Sequence, residues 1–116
     1  MAGKPVHIEV PAEDTSRARE FYSNLFGWQF QPMEGPTEYH MTRFSEDTGG
    51  AVLPGEPGAI RVYFDVHDVK AGVARVRELG GKADDPQSVP GMGWFATGTD
   101  TEGNPIGLWQ TDPAAA

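Results

Sequence analysis

Two stretches of the chain carry the same arrangement of apolar and polar positions. In the first, Val6, Ile8 and Val10 alternate with His7 and Glu9, the period-two pattern of a strand with one covered face. After Asp14 the period changes. Ala18, Phe21, Tyr22, Leu25 and Phe26 fall at helical spacing, Asp14 or Thr15 can cap the start, and Gly27 stands where a left-handed residue ends the last turn. The apolar faces of strand and helix have to cover one another, which assigns Phe21, Tyr22 and Phe26 to the core and leaves His7 and Glu9 pointing away from the helix.

The second stretch repeats this design 54 positions later. Ile60, Val62, Phe64 and Val66 alternate with Arg61, Tyr63, Asp65 and His67. Asp68 then opens a helix with Val69, Val73, Val76 and Leu79 on one stripe, stopped by Gly80 and Gly81. At the same offset Asp14 meets Asp68, Leu25 meets Leu79, Gly27 meets Gly81, Pro36 meets Pro90 and Gly49 meets Gly103. Each half continues with a short strand (Trp28–Pro32 or Lys82–Gln87), a proline-containing turn and two further strands. These are Tyr39–Phe44 and Ala51–Leu53 in the first half, Trp94–Thr97 and Pro105–Gln110 in the second. The pattern predicts one α+β domain of two tandem β-α-β-β-β modules. Module one covers about residues 4–55, a linker about 54–59, and module two about 59–111, with a frayed tail from Asp112 to Ala116.

Composition narrows the function classes. At 116 residues the chain suits a single domain. The absence of cysteine removes disulfides and thiolate chemistry, and no run of about 18 apolar residues suggests a membrane span. A soluble, cytoplasmic protein is the expectation. A formal charge of −8, with scattered basic residues, argues against nucleic acid as a partner and suits a cationic ligand. Gly91-Met-Gly93-Trp-Phe-Ala96 fits the dinucleotide pattern formally, but Trp94 and Phe95 read as strand, so it is a glycine-rich turn. There is no P-loop, G-x-S-x-G elbow or H-E-x-x-H.

The opening His7-x-x-x-x-x-x-Asp14, the phrase Arg19-Glu-Phe-Tyr-Ser-Asn-Leu-Phe-Gly-Trp28 and the closing Asp100-x-x-Gly103-x-x-x-x-Leu108-Trp109 resemble the vicinal oxygen chelate superfamily. That group includes glyoxalase I, bleomycin-resistance proteins and extradiol dioxygenases. The resemblance implies two modules whose sheets curl around a central cleft, and a homodimer. It also implies four metal-ligand positions, one on the first and one on the last strand of each module. These fall at His7, Arg61, Gly107 and, by the repeat offset, at or near Leu53. Only His7 is a retained ligand, because a guanidinium offers no lone pair and glycine and leucine have no donor side chain.

The expected function is therefore that of a small-molecule binder with a degenerate metal site, taking a partly aromatic or apolar ligand and no cofactor. The alternative is a lyase, isomerase or oxygenase that uses a rearranged metal site around His7 and Glu9 or metal-free acid–base chemistry. Strand parity puts His7 and Glu9 forward as acid and base. Arg61 is placed to meet an anionic oxygen or pair with Glu9, and Tyr63, Trp94, Trp109 and Gly107 to line the ligand site. Met41 has no settled parity, and His40 and His67 carry no site.

Overall fold

An aspartate before each apolar helix stripe fixes where the two helices begin. The computed structural model describes residues 3–116. Its elements follow in the order β1 (Pro5–Ala12), α1 (Thr15–Phe26), β2 (Gln31–Pro32), β3 (His40–Arg43), β4 (Gly49–Pro54), β5 (Arg61–Asp65), α2 (Val69–Glu78), β6 (Lys82–Ala83), β7 (Gln87–Val89), β8 (Gly93–Thr99) and β9 (Pro105–Thr111). This is the expected α+β succession, except that the segment Lys82–Gln87 read as one strand forms β6 only at Lys82–Ala83 and ends in the first residue of an additional strand, β7. Asp14 caps α1 by accepting from the Arg17 N–H, and Gly27 closes it at φ 77°. Asp68 caps α2 by accepting from Lys70 and Ala71.

The chain divides into two compact units, one of His7–Ile60 and the other of Arg61–Ala116 with residues 3–6. In the His7–Ile60 unit the strands lie in the order β2, β3, β4, β1, with β1 and β4 parallel and the others antiparallel. Its core is Val10, Ala12 and Val52, with Ile8, Ala18, Tyr22 and Phe30 packed against it. Phe21, Leu25 and Phe26 are not core, since they remain 58%, 57% and 59% exposed. Strand residues as small as Val10, Ala12 and Val52 make a narrow apolar face, which the Ala18 and Tyr22 stripe of α1 already covers. The displaced aromatics gather outside instead: Trp28 stacks on Tyr22 at 4.9 Å and meets Phe26 at 5.3 Å and Phe44 at 4.7 Å.

The other unit orders β5, β9, β8, β6, with β7 also on β8 and β5 parallel to β9. Val66, Val69, Val73, Ala96 and Leu108 form its core under α2. Gly98 is demanded by β6, because a Cβ there would fall 1.9 Å from the Lys82 carbonyl oxygen. Asp112–Ala116 is not frayed: Asp112 N–H donates to Met92, and Gly91 N–H donates to the Ala115 carbonyl, tying the segment to the β7–β8 turn.

The repeat holds at an offset of 54 through the first strand and helix, where capping Asp14 corresponds to Asp68. It does not hold in the last hairpin. Glu9 stands beside Ala51 and Met41, whereas Tyr63 stands beside Gly107 and Thr97, so the hairpins correspond at an offset of 56. Two extra residues between α2 and β8, the region that forms β7, account for the change. The counterpart of Gly107 is therefore Ala51 rather than Leu53, and the match of Gly49 with Gly103 is accidental.

Candidate functional site

Register across β1, β4 and β3 puts His7 level with Gly49 and Arg43, and Glu9 level with Ala51 and Met41. Residues level with one another share a face of the sheet. The opposite face, with Val10 and Val52, is the one under α1. His7, Glu9, Met41 and Arg43 thus lie together on the face away from the helix, as strand parity predicts for His7 and Glu9, and the parity of Met41 is settled. The small residues Gly49 and Ala51 separate them.

Tyr39, two residues before Met41, joins the pair. Its hydroxyl donates to Glu9 Oε2 at 2.8 Å and lies 2.7 Å from His7 Nε2. The two rings are nearly parallel, at 10°, with centroids 6.2 Å apart. Burial holds the His7 pKa below its usual value; the Glu9 carboxylate pulls it back up in part, and the Arg43 guanidinium pushes it down. The result is an imidazole biased toward its neutral form, linked through a phenol to a carboxylate. Sequence reasoning counts Tyr39 only among the strand aromatics, because the contacts that give it a role join residues 30 and 32 positions apart.

Behind this face a separate cluster ties β3 to α1. The Glu38 carboxylate accepts from the Thr15 hydroxyl and lies 2.8 Å from His40 Nε2, contacts that hold its pKa down. His40 is therefore a structural fixture.

In the second unit the face away from α2 carries Tyr63, Phe95, Gly107 and Trp109. Tyr63 is buried and lies flat over Gly107, where a Cβ would fall 2.2 Å from its ring, and its ring meets Phe95 edge-on at 6.4 Å. Trp109 lies over Gly93 and donates from Nε1 to the Thr111 hydroxyl at 3.0 Å. Trp94 is on the opposite face, packed against the α2 core, with its Nε1 donating to Asp112 Oδ2 at 3.1 Å. Arg61 donates from Nη1 to the Gly98 and Ile106 carbonyls at 2.9 and 2.5 Å, so one arm of the guanidinium is held by backbone.

The metal positions implied by the resemblance carry His7, Ala51, Arg61 and Gly107, and these do not fit a divalent ion. Three lack a donor, and His7 Nε2 is bonded to Tyr39. Among the described residues no three His, Cys, Asp or Glu side chains come together as a group able to hold one. Nor is any described helix long and apolar enough to cross a membrane.

Residues 6–109 match the glyoxalase-like domain family. A glyoxylase-like domain-containing protein of Didymella fabae is 34% identical over 90% of this chain and 91% of its own length. CFP32 of Mycobacterium bovis is 31% identical over 95% of this chain, and the anthracycline biosynthesis protein DauV of a Streptomyces is 26% identical over 93%. The chain spans about half the length of these last two curated relatives, 46% and 47%. Among solved structures, BH1468 of Bacillus halodurans superposes with a TM-score of 0.73 at 15% identity, covering 94% of each chain. Methylmalonyl-CoA epimerase of Mycobacterium tuberculosis does so with a TM-score of 0.72 at 16% identity, over 97% of this chain and 90% of its own. These likenesses establish the fold.

Proposed function

The chain belongs to the glyoxalase-like domain family, and from that premise we propose that it is a small-molecule-binding member that uses no metal-coordinating set. Its ligand is partly aromatic or apolar and is oriented by the face that carries His7, Glu9 and Tyr39. The observation that carries this reading is the Tyr39 hydroxyl, which closes His7 and Glu9 into one hydrogen-bonded unit where a chelating member needs open donors. The name of DauV supports trying fused-ring anthracyclines as probes.

The test is titration of an anthracycline in the presence of a chelator, followed by the fluorescence of the three tryptophans. Saturable binding is expected, weakened about two- to tenfold by His7→Gln, as the loss of one ligand hydrogen bond requires. No saturable binding of any fused-ring aromatic, together with stoichiometric zinc binding that His7→Gln abolishes, overturns the reading.

The hydrogen-bonded link from a neutral-biased imidazole to a carboxylate also favours a second reading, metal-free proton transfer in an isomerase or lyase. Exchange of a carbon-bound hydrogen of a carbonyl substrate with D2O in chelator, lost in Glu9→Gln, distinguishes it from simple binding.

A further inference from the structure

We propose that Arg61 is the receiving group for a carboxylate, which it takes on the edge of its guanidinium formed by Nε and Nη2.

A guanidinium carries five N–H groups in one plane, two on each Nη and one on Nε. Nη1 donates to the Gly98 carbonyl at 2.9 Å and to the Ile106 carbonyl at 2.5 Å, so both of its protons are spent on backbone. Gly98 and Ile106 are level with each other across β8 and β9, and anchoring to both fixes the group against the sheet. The three protons on Nε and Nη2 meet no acceptor among the described residues. One proton from each of these nitrogens points the same way from their shared edge, the geometry that grips both oxygens of a carboxylate.

Charge makes the same demand. The two carbonyls satisfy hydrogen bonds but leave the positive charge of Arg61 in place. The side chain is partly buried, yet no described carboxylate pairs with it in a chain of 17 acidic residues. The more exposed Arg17, Arg75 and Arg77 each have one within reach: Asp14 at 3.8 Å, Glu78 at 3.9 Å and Asp85 at 3.1 Å. A cation held in one orientation with reduced access to water gains from an anion that a ligand supplies. The formal charge of −8 does not prevent this, because it is spread over the whole chain. A gripped carboxylate oxygen sits about 3 Å from the guanidinium nitrogens, well inside a Debye length of about 8 Å.

This site belongs to the Arg61–Ala116 unit, goes beyond the reading of the His7 face and is tested without it. Protein labelled with 15N at arginine is titrated with sodium benzoate, and with benzamide as the neutral control, while the Nε–H signals are recorded. Benzoate is expected to shift the Arg61 Nε–H signal saturably, and benzamide to leave it in place. Arg17 and Arg75, with side chains 75% and 59% exposed, report non-specific ion pairing and should move less at the same concentration. Arg61→Lys keeps the charge and loses the fork, so benzoate affinity read from backbone amide shifts should fall about three- to tenfold. If that variant fails to fold, the wild-type signals decide alone. An Arg61 signal that stays in place, that moves no more than those of Arg17 and Arg75, or that benzamide moves equally overturns the proposal. So does an unchanged affinity in a folded Arg61→Lys. A failed anthracycline titration leaves this result standing, so the two ideas fail separately.

Discussion

Burial disfavours a charged imidazole at position 7, and this has a measurable consequence for stability. The folded-state pKa of His7 is below the 6.5 of the free side chain. Between the two values the unfolded chain binds more protons, so stability rises with pH there. The contribution of His7 is complete above 6.5, declines as pH falls toward the folded-state value and is flat below it. His7→Gln should remove this part of the slope, read as a smaller loss of urea midpoint between about pH 7.5 and about pH 5.5 than the wild type shows. Glu9→Gln should lower the His7 pKa further, since the carboxylate raises it, and NMR titration checks this. At the second key position, Gly107→Ala sets a Cβ 2.2 Å from the Tyr63 ring. It is expected to cost roughly 1–3 kcal/mol in urea denaturation, the usual range for overpacking. Alternation along one strand was enough to place His7 and Glu9 on the face opposite the helix. It could not reveal Tyr39, which lies just outside β3 and acquires its partners only when the sheet closes.

At the scale of elements, the most legible features were those set by neighbours in sequence. The period change after Asp14 and after Asp68 marked both helices, and each aspartate does cap. Asp14→Ala and Asp68→Ala are each expected to cost about 1 kcal/mol, measured by denaturant unfolding. What α1 buries was not legible. Helical spacing gives the direction of Phe21, Leu25 and Phe26, but the width of the strand face they would have to meet is fixed by residues elsewhere in the chain. Phe21→Ser should therefore change stability by less than about 0.5 kcal/mol, whereas Val52→Ala, at a fully buried side chain, should cost roughly 1–3 kcal/mol. Strand β7 escaped because three residues, Gln87–Val89, are too few to show a period; their pairing with β8 makes the strand.

For the molecule as a whole, charge is the property read from sequence that most directly governs behaviour in solution. At a formal charge of −8, any cationic ligand is attracted over distances comparable to the Debye length, so its affinity should fall as salt is raised from low to physiological strength while that of a neutral analogue stays level. Calorimetry at two ionic strengths checks this. The duplication was equally legible, through order of elements and capping residues. Its exact register was not, because the two extra residues after α2 leave every strand and helix intact and shift only which residues face each other.

That shift decides how the halves could be recombined. A hybrid that grafts β9 in place of β4 at a spacing of 54 would bring Pro105 to position 51, in the interior of a strand bonded on both edges, where a missing N–H breaks the ladder. Moving the splice by two residues brings Pro105 to position 49, where β4 begins, and seats Gly107 next to Glu9.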